Sequence, residues 1–230
     1  MRAWAIVPAR GGSKGIKRKN LELLNGTSLL ERAITNAKAS GAFEKIIVSS
    51  EDAEIQDEAR KLGVEVHDRD PELARDESKT EDVFRNVLGS FSTTDQPDLV
   101  GCCECTSPFV LPEHIQRSIN EIARNDFLET CMTIAQVDHT SHAFNQRYVM
   151  EKSVDFVFPF FRAGTRRQTK PTFYKFGNFV VARTSHISSG GNFFCERTGY
   201  IEISKLYSIN IDEPDDLLLA QCVANYIEKR

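Results

Sequence analysis

Short β-rich runs alternate with helix-length amphipathic segments along most of this chain. That alternation restricts the fold to a parallel sheet with helices on both faces. Ala3 to Val7 reads as the first strand and runs into a glycine-rich loop. Ser28 and Glu31 form a capping box for a helix burying Leu29, Leu30, Ala33, Ile34 and Ala37, which Gly41 ends. Lys45 to Ser49 reads as a second strand, and a helix then carries Ile55, Ala59 and Leu62 on one face up to Gly63. Val64 to Val66 is a third strand, and the polar stretch from Asp68 to Lys79 a loop. Ser78 with Glu81 predicts another capping box, for a helix burying Val83, Val87 and Phe91. Next come a strand over Leu99 to Cys103, a helix facing Ile115, Ile119 and Ile122 inward, and a strand over Thr130 to Val137. A strand over Phe179 to Ala182 and a helix carrying Leu217, Ala220, Val223 and Tyr226 or Ile227 close the pattern. Between 138 and 170 the period is lost, and basic and aromatic residues mix without a stripe. We read 138–170 as an inserted arm on an α/β domain made of 1–137 and 171–230.

A chain of 230 residues allows one large domain, with or without a small appendage. At 40% hydrophobic and 27% charged residues, disordered, collagen-like and low-complexity classes are excluded. The formal net charge of −4 argues against nucleic-acid binding as the main function. No apolar run approaches the ~20 residues of a membrane span, and Ala3 to Val7 is too short for a signal peptide. A cytoplasmic location without membrane or nucleic-acid partners is expected, which makes the six cysteines reduced thiols. Cys102, Cys103 and Cys105 alternate across a strand and cannot converge on one metal.

The chemistry concentrates in Ala9-Arg10-Gly11-Gly12-Ser13-Lys14-Gly15, directly after the first strand, at the sheet edge where open α/β folds bind ligands. From Arg10 to Lys19 there are five cations, Arg10, Lys14, Lys17, Arg18 and Lys19, and no acid. Glycines let backbone N–H groups approach phosphate oxygens, and the cations offset a polyphosphate's charge, so a nucleoside triphosphate fits. Neither the G-x-x-x-x-G-K-[ST] spacing nor G-x-G-x-x-G occurs here, which weakens ordinary NTPase and dehydrogenase readings.

The run Val7-Pro8-Ala9-Arg10-Gly11-Gly12-Ser13-Lys14-Gly15-Ile16 with Lys19-Asn20 resembles the signature of the acylneuraminate cytidylyltransferase (CMP-N-acetylneuraminic acid synthetase) family. Further matches follow in order: Val48-Ser49-Ser50-Glu51-Asp52, Arg69 with Glu72-Leu73-Ala74 and Asp76, Thr106-Ser107-Pro108, Phe193-Phe194, and Ile209-Asn210-Ile211-Asp212 with Asp215-Asp216. The resemblance implies a Rossmann-like three-layer α/β/α fold with a mostly parallel sheet and a small dimerisation arm. It implies an enzyme that joins CTP to an acidic nine-carbon keto sugar with Mg²⁺ and releases pyrophosphate, acting as a homodimer.

By that resemblance the nucleotide lies on residues Ala9 to Lys14, with Arg10 and Lys19 on the triphosphate and Asn20 helping to hold it. Arg69 and Thr80 match positions that contact the cytidine portion. Sugar contacts fall to Glu104, Thr106, Ser107, Arg166, Gln168, Phe193 and Phe194, and His142 is a weak match to a contact made across a dimer. The two phenylalanines are either an apolar wall for an N-acyl group or core. Where the family carries Asp-x-Asp for the metal, this chain reads Asn210-Ile211-Asp212. Asn210 brings an oxygen but no charge, and Asp212 is either a metal ligand or a helix cap. Asp212 or a metal-bound hydroxide would take the sugar's proton. Glu104 stands where the family usually has Gln, which opens the choice of sugar to legionaminic, pseudaminic or eight-carbon keto acids. Together, Glu104 and Asn210 also admit a nucleotide-binding module that has lost catalysis.

Overall fold

The computed structural model describes residues 1–161, 168 and 170–227. Its first half builds β1 (Ala3–Pro8), the short hairpin β2 (Leu23–Leu24) and β3 (Thr27–Ser28), α1 (Leu29–Ser40), β4 (Lys45–Ser50), α2 (Ala53–Lys61), β5 (Glu65–Asp68) and α3 (Thr80–Gly89). There follow β6 (Leu99–Cys102), α4 (Pro112–Arg124), β7 (Thr130–Gln136), a second hairpin of β8 (Arg147–Met150) and β9 (Ser153–Phe156), β10 (Tyr174–Arg183), α5 (Thr184–Ser188), β11 (Thr198–Ile203) and α6 (Pro214–Ile227).

Seven strands form one sheet in the order β11-β7-β10-β6-β1-β4-β5. Four of its pairings are parallel, and only β10 runs against its neighbours. β1 lies near the middle and alternates across the sheet: Ala3, Ala5 and Val7 join the core under α1, α2, α4 and α6, while Trp4 and Ile6 join the core under α3 and α5. Cys102 faces the second core and Cys103 and Cys105 the first, as the strand period demands. After β1 the chain winds outward through β4 and β5, then returns to the other side of β1 as β6. That reversal opens a crevice between the loops following β1 and β6, the place where such sheets bind ligands.

Local chemistry explains most element ends. Ser28 Oγ accepts from Glu31 N at 3.1 Å, and Gly41 ends α1 at φ 61°. The box expected at Ser78 does not form: Lys79 precedes α3 without a side-chain cap, and Ser78 Oγ donates to Glu72 O at 2.8 Å. Glu81 accepts the Phe193 N–H instead, at 3.0 Å. β10 starts earlier than the apolar run predicted, and β11 was not anticipated. Its inward Gly199, Ile201 and Ile203 alternate with exposed Tyr200 and Glu202, an edge pattern weaker than a buried run. In α6 Ile227, not Tyr226, packs on the core. The β8–β9 hairpin forms its own two-stranded sheet, with Tyr148, Val149, Met150 and Val154 exposed. Among the described residues no helix is long and apolar enough to cross a membrane.

Candidate active site

The crevice at the switch point is a cleft of about 380 Å³. Arg10, Lys14 and Lys19 line it from the loop after β1, Arg69 and Asp76 from the segment after β5, Thr80 from the start of α3, and Glu104 and Thr106 from the loop after β6. Asp212 lines it from the segment before α6.

Ala9 is fully buried and extends β1 by donating to Ser49 O at 3.0 Å. The loop that follows rests on acids. Gly11 N–H donates to Glu51 Oε1 at 2.8 Å, so this amide does not face a phosphate as the glycine-rich pattern predicted. A Cβ on Gly11 would overlap the Asp52 carboxylate, which explains the glycine by packing. Gly12 is exposed, and Ser13 and Gly15 line the cleft. Arg18 turns away in a left-handed conformation (φ 55°) to pair with Asp52 at 3.1 Å and Glu54. Asn20 is buried and ties the loop shut, its Nδ2 donating to Arg10 O at 2.9 Å.

Each loop cation lining the cleft has a carboxylate partner. Lys19 Nζ lies 2.9 Å from Asp212 Oδ1, Arg10 Nη1 lies 2.9 Å from Asp76 Oδ1, and Lys14 pairs with the other Asp76 oxygen. These partners hold the Asp76 carboxyl below its ordinary range, Lys14 contributing most and Arg10 next. Arg69 is buried on the cleft floor, donating to Ser49 O at 2.5 Å and Ser49 Oγ at 3.3 Å. Burial lowers its pKa, the Glu51 carboxylate opposes that fall, and Arg10 adds to it.

The acidic end is assembled from distant segments. Ile211 N–H donates to Thr106 O at 2.8 Å, which brings 210–212 beside the loop after β6. Asn178 anchors the approach: its Nδ2 donates to Tyr207 O at 2.8 Å, and its Oδ1 accepts from Thr133 Oγ1 at 3.0 Å. Asn210 Nδ2 donates to Asp212 Oδ2 at 2.6 Å, while Ser107 Oγ, buried, reaches Asn210 Oδ1 at 3.5 Å. Asp216, in the first turn of α6, reaches back over the helix start, its Oδ2 accepting from Asp212 N at 3.0 Å and Glu213 N at 2.9 Å. The Asp212 carboxylate is thereby left to the cleft. Burial raises the pKa of Glu104, and neighbouring Asp212 raises it further against the pull of Lys19.

Of the remaining expected sugar contacts, Gln168, Phe193 and Phe194 do not line the cleft. Phe193 is buried edge-on against Phe84 in the core beneath α3, ring centroids 5.0 Å apart, a pair worth about 0.5–1.5 kcal/mol beyond its burial. Phe194 is exposed and meets Phe176 edge-on. Gln168 is exposed, and Arg166 lies outside the described residues. His142 is buried, stacked on Phe173, and bonded to Pro171 O and Phe144 N. Conversely, Leu73, Arg75 and Asp76 line the cleft with no role predicted for them, and Ser78, expected as a helix cap, lines it too. Leu73 and Asp76 belong to the matched run Glu72-Leu73-Ala74 and Asp76, so for these two the signal was present as a pattern without an assigned chemistry.

The profile of the cytidylyltransferase family matches residues 4–156, more than half of the chain. The chain belongs to the cytidylyltransferase family. An N-acylneuraminate cytidylyltransferase of Streptococcus agalactiae serotype V is 26% identical over 221 residues, which is 95% of this chain and 52% of that protein. The chain thus spans about half the length of that relative. The pseudaminic acid cytidylyltransferase of Campylobacter jejuni is 33% identical over 127 residues, 54% of this chain and 55% of that one. Among solved structures, a CMP:2-keto-3-deoxy-manno-octonic acid synthetase complexed with CTP shares the fold, with a TM-score of 0.73 at 13% identity over 100% of both chains. The expected fold holds: an α/β architecture with a mostly parallel seven-stranded sheet flanked by helices.

Proposed function

We propose that this chain activates an acidic keto sugar with CTP, giving the CMP-sugar and pyrophosphate. The observation that carries the reading is one cleft lined by Arg10, Lys14, Lys19 and Arg69 together with Glu104 and Asp212, the two sets joining where Lys19 meets Asp212. The cations suit a triphosphate. Family membership supports the cytidine nucleotide, and relatives named for sialic and pseudaminic acids support an acidic nonulosonic sugar.

In this reaction the sugar's anomeric hydroxyl attacks the α-phosphorus. A P–O bond forms to the anomeric oxygen as the bond from the α-phosphorus to the oxygen bridging the β-phosphate breaks, and pyrophosphate leaves in line. Positioning and charge compensation do most of the work. Arg10, Lys14 and Lys19 take the phosphate tail, Asn20 keeps their loop closed, and Arg69 and Thr80 face the cytidine side. Asp212 takes the proton from the attacking hydroxyl. Glu104, Thr106 and Ser107 meet the sugar.

Mg²⁺ fits the acidic end by donor chemistry. Asp212 and Asn210 offer hard oxygens at a carboxylate whose side chain is 62% exposed, and this ion commonly takes one or two carboxylates with phosphate oxygens and water. Asp212 would hold it, with Asn210 joining once its amide oxygen turns outward; bound there, the ion supplies charge neutralisation. The exposed apolar side chains of the β8–β9 hairpin support the further reading that 138–170 is an arm pairing two copies of the chain.

Glu104 favours a second choice of sugar. A carboxyl and an amide differ in the donors and acceptors they offer, so a pocket carrying Glu104 suits a substrate different from one read by an amide. The test is a panel of sialic, legionaminic, pseudaminic and eight-carbon keto acids with CTP and Mg²⁺, reading pyrophosphate. One member is expected to release it fastest. Absence of release with every member from folded protein overturns the enzyme reading, and CTP binding without turnover points to a module that has lost catalysis.

A further inference from the structure

The loop cations of this cleft are not waiting bare for a phosphate. Arg10 and Lys14, on the chain's most basic stretch, meet opposite oxygens of the single carboxylate of Asp76, and Arg10 also donates to Ala74 O at 3.2 Å. Arg18 provides the contrast, because its acids, Asp52 capping α2 and Glu54 in its first turn, do not line the cleft.

Asp76 is presented by a braced segment. Pro71–Ala74 forms a 3₁₀ turn capped by Asp70, whose Oδ1 accepts from Glu72 N at 2.9 Å. Ser78 Oγ closes the far side on Glu72 O at 2.8 Å. Between these fixed points the Asp76 side chain reaches the cleft and stays 39% exposed. A carboxylate bridging a guanidinium and an ammonium through separate oxygens occupies them much as two oxygens of a phosphate group would.

We propose that Asp76 holds the place of a phosphate in the nucleotide-free chain and competes with the polyphosphate for Arg10 and Lys14. The inference rests on the reading of the cleft as a CTP site. Ion pairs this exposed are weak, so a triphosphate of several charges displaces the carboxylate. When pyrophosphate has formed, the return of Asp76 to the same two cations speeds its departure. Asp76 is a positioning residue: it acts on the ligand through Arg10 and Lys14, never by contact with the reacting atoms.

The experiment measures binding of inorganic pyrophosphate and of CTP by calorimetry to the wild-type chain, Asp76→Asn, Asp76→Glu and Arg10→Ala, with melting temperatures confirming that each is folded. Asp76→Asn is expected to bind both ligands about three- to tenfold tighter, the scale of two partly exposed ion pairs. Pyrophosphate then inhibits that variant at correspondingly lower concentration. Asp76→Glu keeps the charge and returns affinity toward wild type, and added salt narrows the gap between Asn and wild type. A merely structural residue would lower affinity when replaced. Equal or weaker binding by a folded Asp76→Asn therefore overturns the inference, and Asp76→Ser decides the matter if the Asn variant is unfolded. Should the wild type bind CTP and Arg10→Ala lose it while Asp76→Asn gains nothing, only the role of Asp76 falls. Should the wild type bind neither ligand, the CTP reading fails and this inference with it.

Discussion

The two ends of the cleft are built in opposite ways. The basic end draws Arg10, Lys14 and Lys19 from one contiguous loop, with Arg69 beneath it, and the loop's shape is set by Glu51, Asp52 and Asn20. The acidic end is stitched together from segments far apart in the chain: Ser107 and Asn210 are 103 residues apart, and one backbone bond from Ile211 N to Thr106 O joins their strands of chain. A contiguous loop keeps its charges when the rest of the sheet is disturbed, whereas the acidic end depends on long-range packing. The difference assigns distinct failures to the two ends.

Removing a cation is expected to do the most damage and to strike one end alone. Arg10→Ala should lower kcat/KM for CTP by about 10²–10³, the usual loss for a group that stabilises transferring charge. Steady-state kinetics with CTP varied at saturating sugar reads this, and a loss falling on the sugar's KM instead would break the division between the ends. Gly15 tests the seam. A Cβ there would overlap the Asp212 carbonyl oxygen, so Gly15→Ala must push the loop and the 210–212 segment apart. A cost of about 1–3 kcal/mol in stability is expected from such overpacking. Both substrates should lose affinity together, and chemical denaturation with paired KM values would show whether they do.

The smallest effect concerns Glu104. Its carboxyl is raised by burial first and by Asp212 second, so the folded chain holds its proton more tightly than the unfolded chain does. Stability from that proton is present below the ordinary carboxylate pKa and is lost as pH rises through the raised one. Glu104→Gln removes the titration: the variant should gain on the wild type from mildly acidic to neutral pH and match it in acid. Melting temperatures across that range give the sign, and a gap that widens toward acid would contradict it.

How much of this was legible in the sequence follows the same divide. The basic loop could be read directly, because its charges are adjacent and its strand is a buried run. The central strands and α1 were equally plain, their periods and caps being local. The acidic end was half legible: the sequence offers Asp212 as metal ligand or helix cap, and only the fold shows Asp216, in the first turn of α6, taking the Asp212 and Glu213 amides. Phe193 could not be placed from its neighbours in sequence, since the Phe84 ring that buries it lies on α3, far along the chain. Asp76 sat in a visible motif, yet its meaning depended on two cations more than sixty positions away. β11 escaped because an edge strand carries half the apolar signal of a central one.

The cysteines of this chain fall into a graded series. Cys102, Cys103, Cys105 and Cys131 are buried, and burial lifts the thiols of Cys105 and Cys131 up to about 12, leaving almost no thiolate at neutral pH. Cys195 is partly covered, and Cys222 stands exposed on α6. A maleimide dye will therefore couple to Cys222 first, giving the unaltered chain a fluorescent reporter on the helix that follows Asp212.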